Sequence, residues 1–325
     1  MVNYSIIIPH YNIPQLLQRC IDSIPQRKDI EIIIVDDNSN GNIVDFENFP
    51  GKNRNDIIFI FNKVNKGAGF SRNQAISLAK GKWILCVDAD DFLLPNAFTY
   101  LDDFLNIEQD VIIFKSESCL SDDITQKGKR EHAPTLNYLI DKCMNKDITP
   151  SDILFIVMSP WCKMVRNSFL KAHNIDFDLT MVSEDVMWST KLAVNAKRCT
   201  VSDKYIYCLT EREGSLANSI TLKKILTWYD VIKRKNLYLS SLGITNRKEY
   251  FSYNDLSIIR YSNKMLYIKY IFKSINDRLL KPECFYKIEK NLNFKYPYLY
   301  LFLGLFNYPS LNNIPLIKNI WKKLR

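Results

Sequence analysis

The stretch Trp83-Ile-Leu-Cys-Val-Asp-Ala-Asp-Asp-Phe-Leu-Leu-Pro95, WILCVDADDFLLP, decides the fold. Five apolar residues, Trp83 to Val87, lead directly into three carboxylates, Asp88, Asp90 and Asp91. A short run that is apolar on both faces suits a strand of a parallel sheet covered by helices. Carboxylates crowded at the mouth of such a strand repel one another. Either they form a solvated acidic turn before the helix that Pro95 begins, or a cation binds there. A helix–loop–helix calcium site is excluded, because counting from Asp88 puts Leu93 at position 6 and Thr99 at position 12, where Gly and Glu are required. Mg²⁺ or Mn²⁺ fits better, since each takes one or two protein carboxylates and completes its shell with diphosphate and water.

Four more runs share this character, at residues 4–9, 30–35, 57–61 and 111–114. Helical signals lie between them. Pro14 suits a first helical position. Residues 70–80 carry Ala75, Ile76 and Ala79 and are expected to stop at Gly81 as a C-terminal cap. Pro95 is expected to open a helix through Phe98, Leu101 and Leu105. Strand–helix alternation predicts an α/β domain with a mainly parallel sheet over residues 1–115. Residues 116–220 read as mixed, with one clear helix from about 184 to 196. Residues 221–325 read as mostly helical, polar and basic.

With 325 residues, 47% apolar and 24% charged, the chain has the composition of a soluble globular protein. Its net charge of +9 is uneven. Residues 1–200 hold 22 basic and 26 acidic side chains, whereas residues 201–325 hold 22 and 9. The eight cysteines are scattered, with no C-x-x-C pair, which argues for reduced thiols rather than a disulfide framework or a zinc site. The opening residues lack a basic n-region, so no secretory signal is expected. The longest apolar stretch, residues 298–306, is too short to span a bilayer. These features predict a cytoplasmic protein.

In an open parallel sheet, ligands bind beyond the carboxyl ends of the strands. Three polar clusters follow strand-like runs here: Pro9-His10-Tyr11-Asn12, Asp36-Asp37-Asn38-Ser39 and Asp88-Ala89-Asp90-Asp91. Their gaps match one and two strand–helix units, so parallel strands would set all three along one edge. Each has an ordinary reading. Asp, Asn and Ser favour turns, Tyr11 can be a rim aromatic, and Arg72 can be a surface arginine. Each also has a functional one: a carboxylate receiving a nucleobase N–H, a ring stacking on that base, an arginine reaching a diphosphate. The Gly67-Ala-Gly69 pair is no dinucleotide fingerprint, since a third glycine is missing and no strand directly precedes it.

Together, IIIPHYN, IIIVDDNS and GAGFSRNQAISLAKGKWILCVDADDFLLP resemble the nucleotide-binding half of family 2 glycosyltransferases of the GT-A fold. The resemblance covers roughly residues 1–220 and is strongest over 1–100. It implies a catalytic domain over 1–220, with a nucleotide-binding half (1–115) and an acceptor half (116–220), and a helical basic region over 221–325. It assigns uracil contacts to Tyr11 and Asp37, beside Pro9. It assigns the D-x-D motif and its metal to Asp88, Ala89 and Asp90, with Asp91 alongside, and a nucleotide contact to Arg72. The family's late Glu-Asp pair matches Glu184 and Asp185, making Asp185 the general base. On the residues alone, those two acids equally suit a first helical turn. Weaker matches place Trp161 and Lys163 near the acceptor and Arg212 over the diphosphate.

The implied reaction is inverting transfer of a sugar from a nucleotide-diphosphate donor, expected to be a UDP-sugar, with Mn²⁺ or Mg²⁺. The acceptor would be a glycan or lipid-linked glycan of surface-polysaccharide synthesis. A nucleotidyltransferase would want a glycine-rich, basic loop after the first strand, which Pro9-His-Tyr-Asn lacks. A non-catalytic sugar-nucleotide-binding subunit would be expected to lose the base, which Glu184-Asp185 retains. No nucleic-acid motif is present. The aromatic segment 296–306 and the basic tail 317–325 suit peripheral contact with an anionic membrane at the inner face of the cell membrane.

Overall fold

The computed structural model describes residues 1–212, 221–281 and 284. The chain divides into two compact units, Met1–Ser219 and Ile220–Arg325.

In the first unit, β1 (Tyr4–His10), β2 (Ile30–Asp36), β3 (Ile57–Phe61) and β4 (Trp83–Cys86) are the parallel strands anticipated from the apolar runs. β1 and β2 bury both faces of their isoleucine-rich sequences, with Ile6, Ile7, Ile8, Ile32, Ile33 and Ile34 fully enclosed, while β3 at the sheet edge is only partly buried. Each such side chain contributes roughly 1.5–3 kcal/mol on burial. The helices α1 (Pro14–Asp22) and α2 (Ala68–Leu78) pack on this sheet, α1 through Leu17, Cys20 and Ile21.

Beyond β4 the sheet becomes mixed. Among the described residues it has eight strands, in the order β3-β2-β1-β4-β7-β6-β8-β5. β7 (Lys163–Arg166) runs antiparallel between β4 and β6 (Val111–Leu120). The 13-residue β8 (Cys199–Glu211) lies parallel to β6, and the two-residue β5 (Phe92–Leu93) closes the far side antiparallel to β8. The remaining helices of this unit are α3 (Ala97–Asp102), α4 (His132–Met144), α5 (Pro150–Ile156), α6 (Asn167–Ala172) and α7 (Asp185–Asn195).

Two expectations are corrected. α2 begins and ends two residues early, and Ala79, in an extended conformation, is its C-cap. Gly81 serves a different need: a Cβ there would stand 2.5 Å from the Ser5 backbone nitrogen, so only glycine lets the chain enter β4 beside β1. α3 starts at Ala97, behind Asn96, and stops at Asp102 well short of Leu105.

The second unit contains α8 (Leu222–Ser241), α9 (Tyr253–Ser262) and α10 (Lys264–Asn276), packed around Tyr229, Ile232, Phe251, Leu256 and Ile271. Some of its cations are paired internally: Lys235 with Glu249, and Lys233 with Asp277 at 2.9 Å. No helix among the described residues is long and apolar enough to cross a membrane. The segments 296–306 and 317–325 lie outside the described residues.

Candidate active site

Parallel register places the ends of β1 and β2 side by side, with His10 opposite Asp36. His10 is buried, its Nδ1 2.8 Å from Asp36 Oδ2, while the Ile13 amide donates to its Nε2 at 3.2 Å. Nε2 therefore accepts, so Nδ1 carries the proton and donates to the carboxylate. Burial pushes the Asp36 carboxyl up, but hydrogen bonds from His10 and Ser39 outweigh it and leave the pKa below its ordinary value. The loops after the two strands are tied together as well. Asn12 N donates to Ser39 Oγ at 2.8 Å, and Asn40 N to Asn12 Oδ1 at 2.7 Å. Asn12 and Asn38 both take positive φ, 56° and 65°, which asparagine tolerates better than most residues. This frame leaves Tyr11 49% exposed on the rim.

Asp37 is buried and already engaged. Its carboxylate accepts from Asn62 Nδ2 at 3.0 Å, from Lys66 N at 3.0 Å and from Gly67 N at 2.6 Å. It holds the loop leading into α2, at whose mouth Gly67 takes φ 88°.

Arg72, on the first turns of α2, is 5% exposed and forms the centre of the site. Its Nη2 donates to Asp88 Oδ1 at 2.7 Å and its Nη1 to Glu184 Oε1 at 2.8 Å. One planar fork thus joins carboxylates 96 positions apart in the chain, the geometry that favours Arg over Lys. Burial lowers the guanidinium pKa, but Asp88 and Glu184 more than reverse this and hold it charged. α2 approaches the loop before α7 through Gly69, where a Cβ would lie 2.2 Å from Asp178 O and 3.0 Å from Glu184 Cβ.

The acidic cluster divides in two. Asp88 and Asp90 stay partly open to solvent, Asp88 paired with Arg72 and Asp90 with Arg212 Nε at 3.1 Å. Asp91 turns inward and is 1% exposed. Tyr207 Oη donates to its Oδ2 at 2.9 Å and Thr210 N to its Oδ1 at 2.7 Å, both from β8. Asp91 is therefore an anchor rather than a member of the open cluster, because both oxygens are committed to β8. Tyr207 Oη also accepts from Asp88 N at 3.0 Å, so a single phenol holds both ends of the acidic turn. Arg19 and Thr210 secure the Asp90 carbonyl, at 2.7 Å and 2.6 Å. Buried Ala89 fills the space between.

Asp185 is the first residue of α7, directly after Ser183 at φ 59° and the Arg72-bonded Glu184. Burial raises its carboxyl most, Glu184 adds to this, and Arg72 and Lys163 oppose it; the balance is about 6. A carboxylate poised there can take up a proton near neutrality. Trp161 and Lys163, expected near the acceptor, are buried, at 5% and 2% exposed. Trp161 stacks on Tyr207 at 5.8 Å between centroids, and Lys163 donates to the carbonyls of Val157 and Ser159. Trp161 thus packs beneath the acidic turn's Tyr207, and Lys163 is bonded to the 157–159 loop. Sequence reasoning missed His10, Arg19, Tyr207 and Thr210. His10 alone carried a signal, as the strand-end partner of Asp36.

Two carboxylates of the acidic turn, Asp88 and Asp90, are left partly open to solvent. Among the described residues no three His, Cys, Asp or Glu side chains converge on one metal position. Two carboxylates suit Mg²⁺ or Mn²⁺ where phosphate oxygens supply the remaining ligands.

Residues 5–172 match the family described as Glycosyl transferase family 2. The chain is 31% identical over 218 residues to a poly(ribitol-phosphate) beta-glucosyltransferase of Bacillus spizizenii, covering 65% of this chain and 32% of that protein. It is 25% identical to a cholesterol galactosyltransferase of Borreliella burgdorferi, covering 84% and 81%. The chain spans about a third of the length of the curated relatives that head the comparison. In fold it resembles the S. aureus TarS fragment 1–349 solved with UDP-GlcNAc, with TM-score 0.58 and 24% identity over 73% of this chain and 66% of that one. An α/β unit of GT-A type thus carries the motifs and the match together, and the chain belongs to glycosyltransferase family 2.

Proposed function

We propose that the chain is an inverting glycosyltransferase that moves a sugar from a UDP-sugar to a hydroxyl of a glycan or lipid-linked glycan in surface-polysaccharide synthesis. The observation that carries this reading is the Arg72 fork, which sets Asp88 of the acidic turn and the Glu184-Asp185 pair at one site. The named relatives act on poly(ribitol-phosphate) and cholesterol, both hydroxyl-bearing acceptors, and support an acceptor of that chemical kind.

Tyr11 faces solvent where a base can stack, and the β1 and β2 loops frame that position. Asp185 removes the proton from the acceptor hydroxyl as its oxygen forms a bond to the anomeric carbon. The bond from that carbon to the diphosphate oxygen breaks on the opposite face, its electron pair leaving with the diphosphate. One displacement inverts the anomeric centre, so an α-linked donor yields a β-linkage. Arg72 and Arg212 keep positive charge at the acidic turn, where negative charge grows on the leaving group. Asp88 and Asp90 would hold Mg²⁺ or Mn²⁺, which when bound neutralises diphosphate charge. The test is transfer from a panel of UDP-sugars, with and without acceptor alcohols, in Mn²⁺ and in EDTA. Acceptor-dependent release of UDP is expected; release of inorganic diphosphate from a sugar phosphate and UTP would assign a nucleotidyltransferase instead.

A further inference from the structure

Lys163 opens β7 with 2% of its surface exposed, and the reaction outlined above gives it no part. Its ammonium donates to Val157 O at 2.7 Å and to Ser159 O, and lies 3.4 Å from Ser189 Oγ. Ser189 in turn donates to Leu154 O at 2.8 Å. These partners are all neutral, and a buried cation with only neutral partners is costly. Ser189 stands four residues after Asp185 on α7, so both occupy one face of that helix.

The charges around this position are few. Burial lowers the Lys163 ammonium to about 8, opposed first by Asp185 and then by the thiols Cys162, Cys199 and Cys86. The charges acting on Asp185 are Glu184 just before it, Arg72 on α2 and Lys163 on β7. Arg72 is hydrogen-bonded to two other carboxylates, Asp88 and Glu184. Lys163 is the remaining cation in that set, and its hydrogen bonds go to carbonyls and a hydroxyl.

We propose that Lys163 is a positioning residue for Asp185, its ammonium binding the 157–159 loop to α7 and presenting positive charge to the base from within the sheet. The proposal rests on Asp185 acting as the base. In the wild type, kcat/KM rises with pH as Asp185 ionises, through the region of its pKa near 6. Lys163→Met removes the charge while keeping the side chain's length. The acid limb is then expected to move up by about one pH unit, the usual effect of losing an opposite charge nearby. Calorimetry with UDP shows whether the variant is folded. A rate lowered equally at every pH, with the limb unmoved, makes Lys163 a plain structural support and overturns the proposal. A wild type without transfer overturns the glycosyltransferase reading instead.

Should Lys163→Met fail to fold, Asp185→Asn tests the same pair from the other side. An unfolded lysine titrates near about 10.4. Between its folded and unfolded pKa values the unfolded state binds more protons, so stability rises with pH. Removing the Asp185 charge lets folded Lys163 release its proton earlier. Thermal melts from pH 6 to 10 are expected to show that rise beginning about one pH unit lower in Asp185→Asn. An unchanged onset contradicts the pairing.

Discussion

Burial and the neighbouring Glu184 raise the Asp185 carboxyl to about 6, and two consequences follow at the residue scale. Activity should climb through pH 6, and Asp185→Asn should cut turnover by about 10²–10⁴ while leaving UDP affinity nearly unchanged by calorimetry. Stability should move the other way. The folded pKa exceeds the unfolded value of about 3.9, so this carboxyl's contribution to stability is full below about pH 4 and is lost as pH rises through 6. Asparagine stays neutral throughout. Asp185→Asn should therefore melt higher than the wild type at pH 7.5, by on the order of 2 kcal/mol, and match it near pH 4. The two open aspartates should behave unlike the third. Asp90→Ala should abolish metal-dependent transfer with little effect on unfolding. Asp91→Ala, which strands Tyr207 Oη and Thr210 N, should cost about 1–3 kcal/mol in urea denaturation. That Arg72, Asp88 and Glu184 come together was legible because each falls at a strand end or a helix start within a recognisable motif. The inward turn of Asp91 was not, because its partners lie more than a hundred residues away on β8 and local sequence carries no trace of them.

At the scale of elements, β1 and β2 could be read because isoleucine and valine recur on both faces, which only a doubly covered strand can bury. β8 escaped notice because exposed Asp203, Lys204 and Tyr205 interrupt its apolar residues. The ends of α2 were misread for a related reason: Gly81 looked like a cap, whereas its missing Cβ is needed against β1. Gly69 makes the tightest of these approaches within the site. Gly69→Ala would drive a methyl to 2.2 Å from Asp178 O and press on Glu184. α2 and the start of α7 must then separate, at a cost of about 1–3 kcal/mol. Because that motion stretches the Arg72–Glu184 contact, turnover should fall along with the melting temperature. A variant that loses stability but keeps full turnover would show that this spacing does not serve the chemistry.

For the whole molecule, the charge asymmetry and the family match point to different parts of the chain. Residues 5–172 carry the match, while the excess of 22 basic over 9 acidic side chains belongs to residues 201–325. Internal pairs such as Lys233–Asp277 and Lys235–Glu249 engage some of the nine acids and leave the net excess of 13 in place. Each remaining Lys or Arg near an anionic leaflet contributes about 1 kcal/mol. The full chain should therefore sediment with anionic liposomes in a salt-sensitive way, and a chain ending near residue 290 should sediment less. Equal recovery of both in the supernatant would mean that the tail packs on its own domain or on a partner chain. The proposed function turns on a single inverting displacement at the Arg72-bridged site. Its most direct test is proton NMR of the first-formed product, with an α-linked UDP-sugar and an acceptor alcohol. A β-anomeric signal is expected with the wild type and its loss with Asp185→Asn; an α-linked product, or a β product formed at full rate by Asp185→Asn, would refute that displacement.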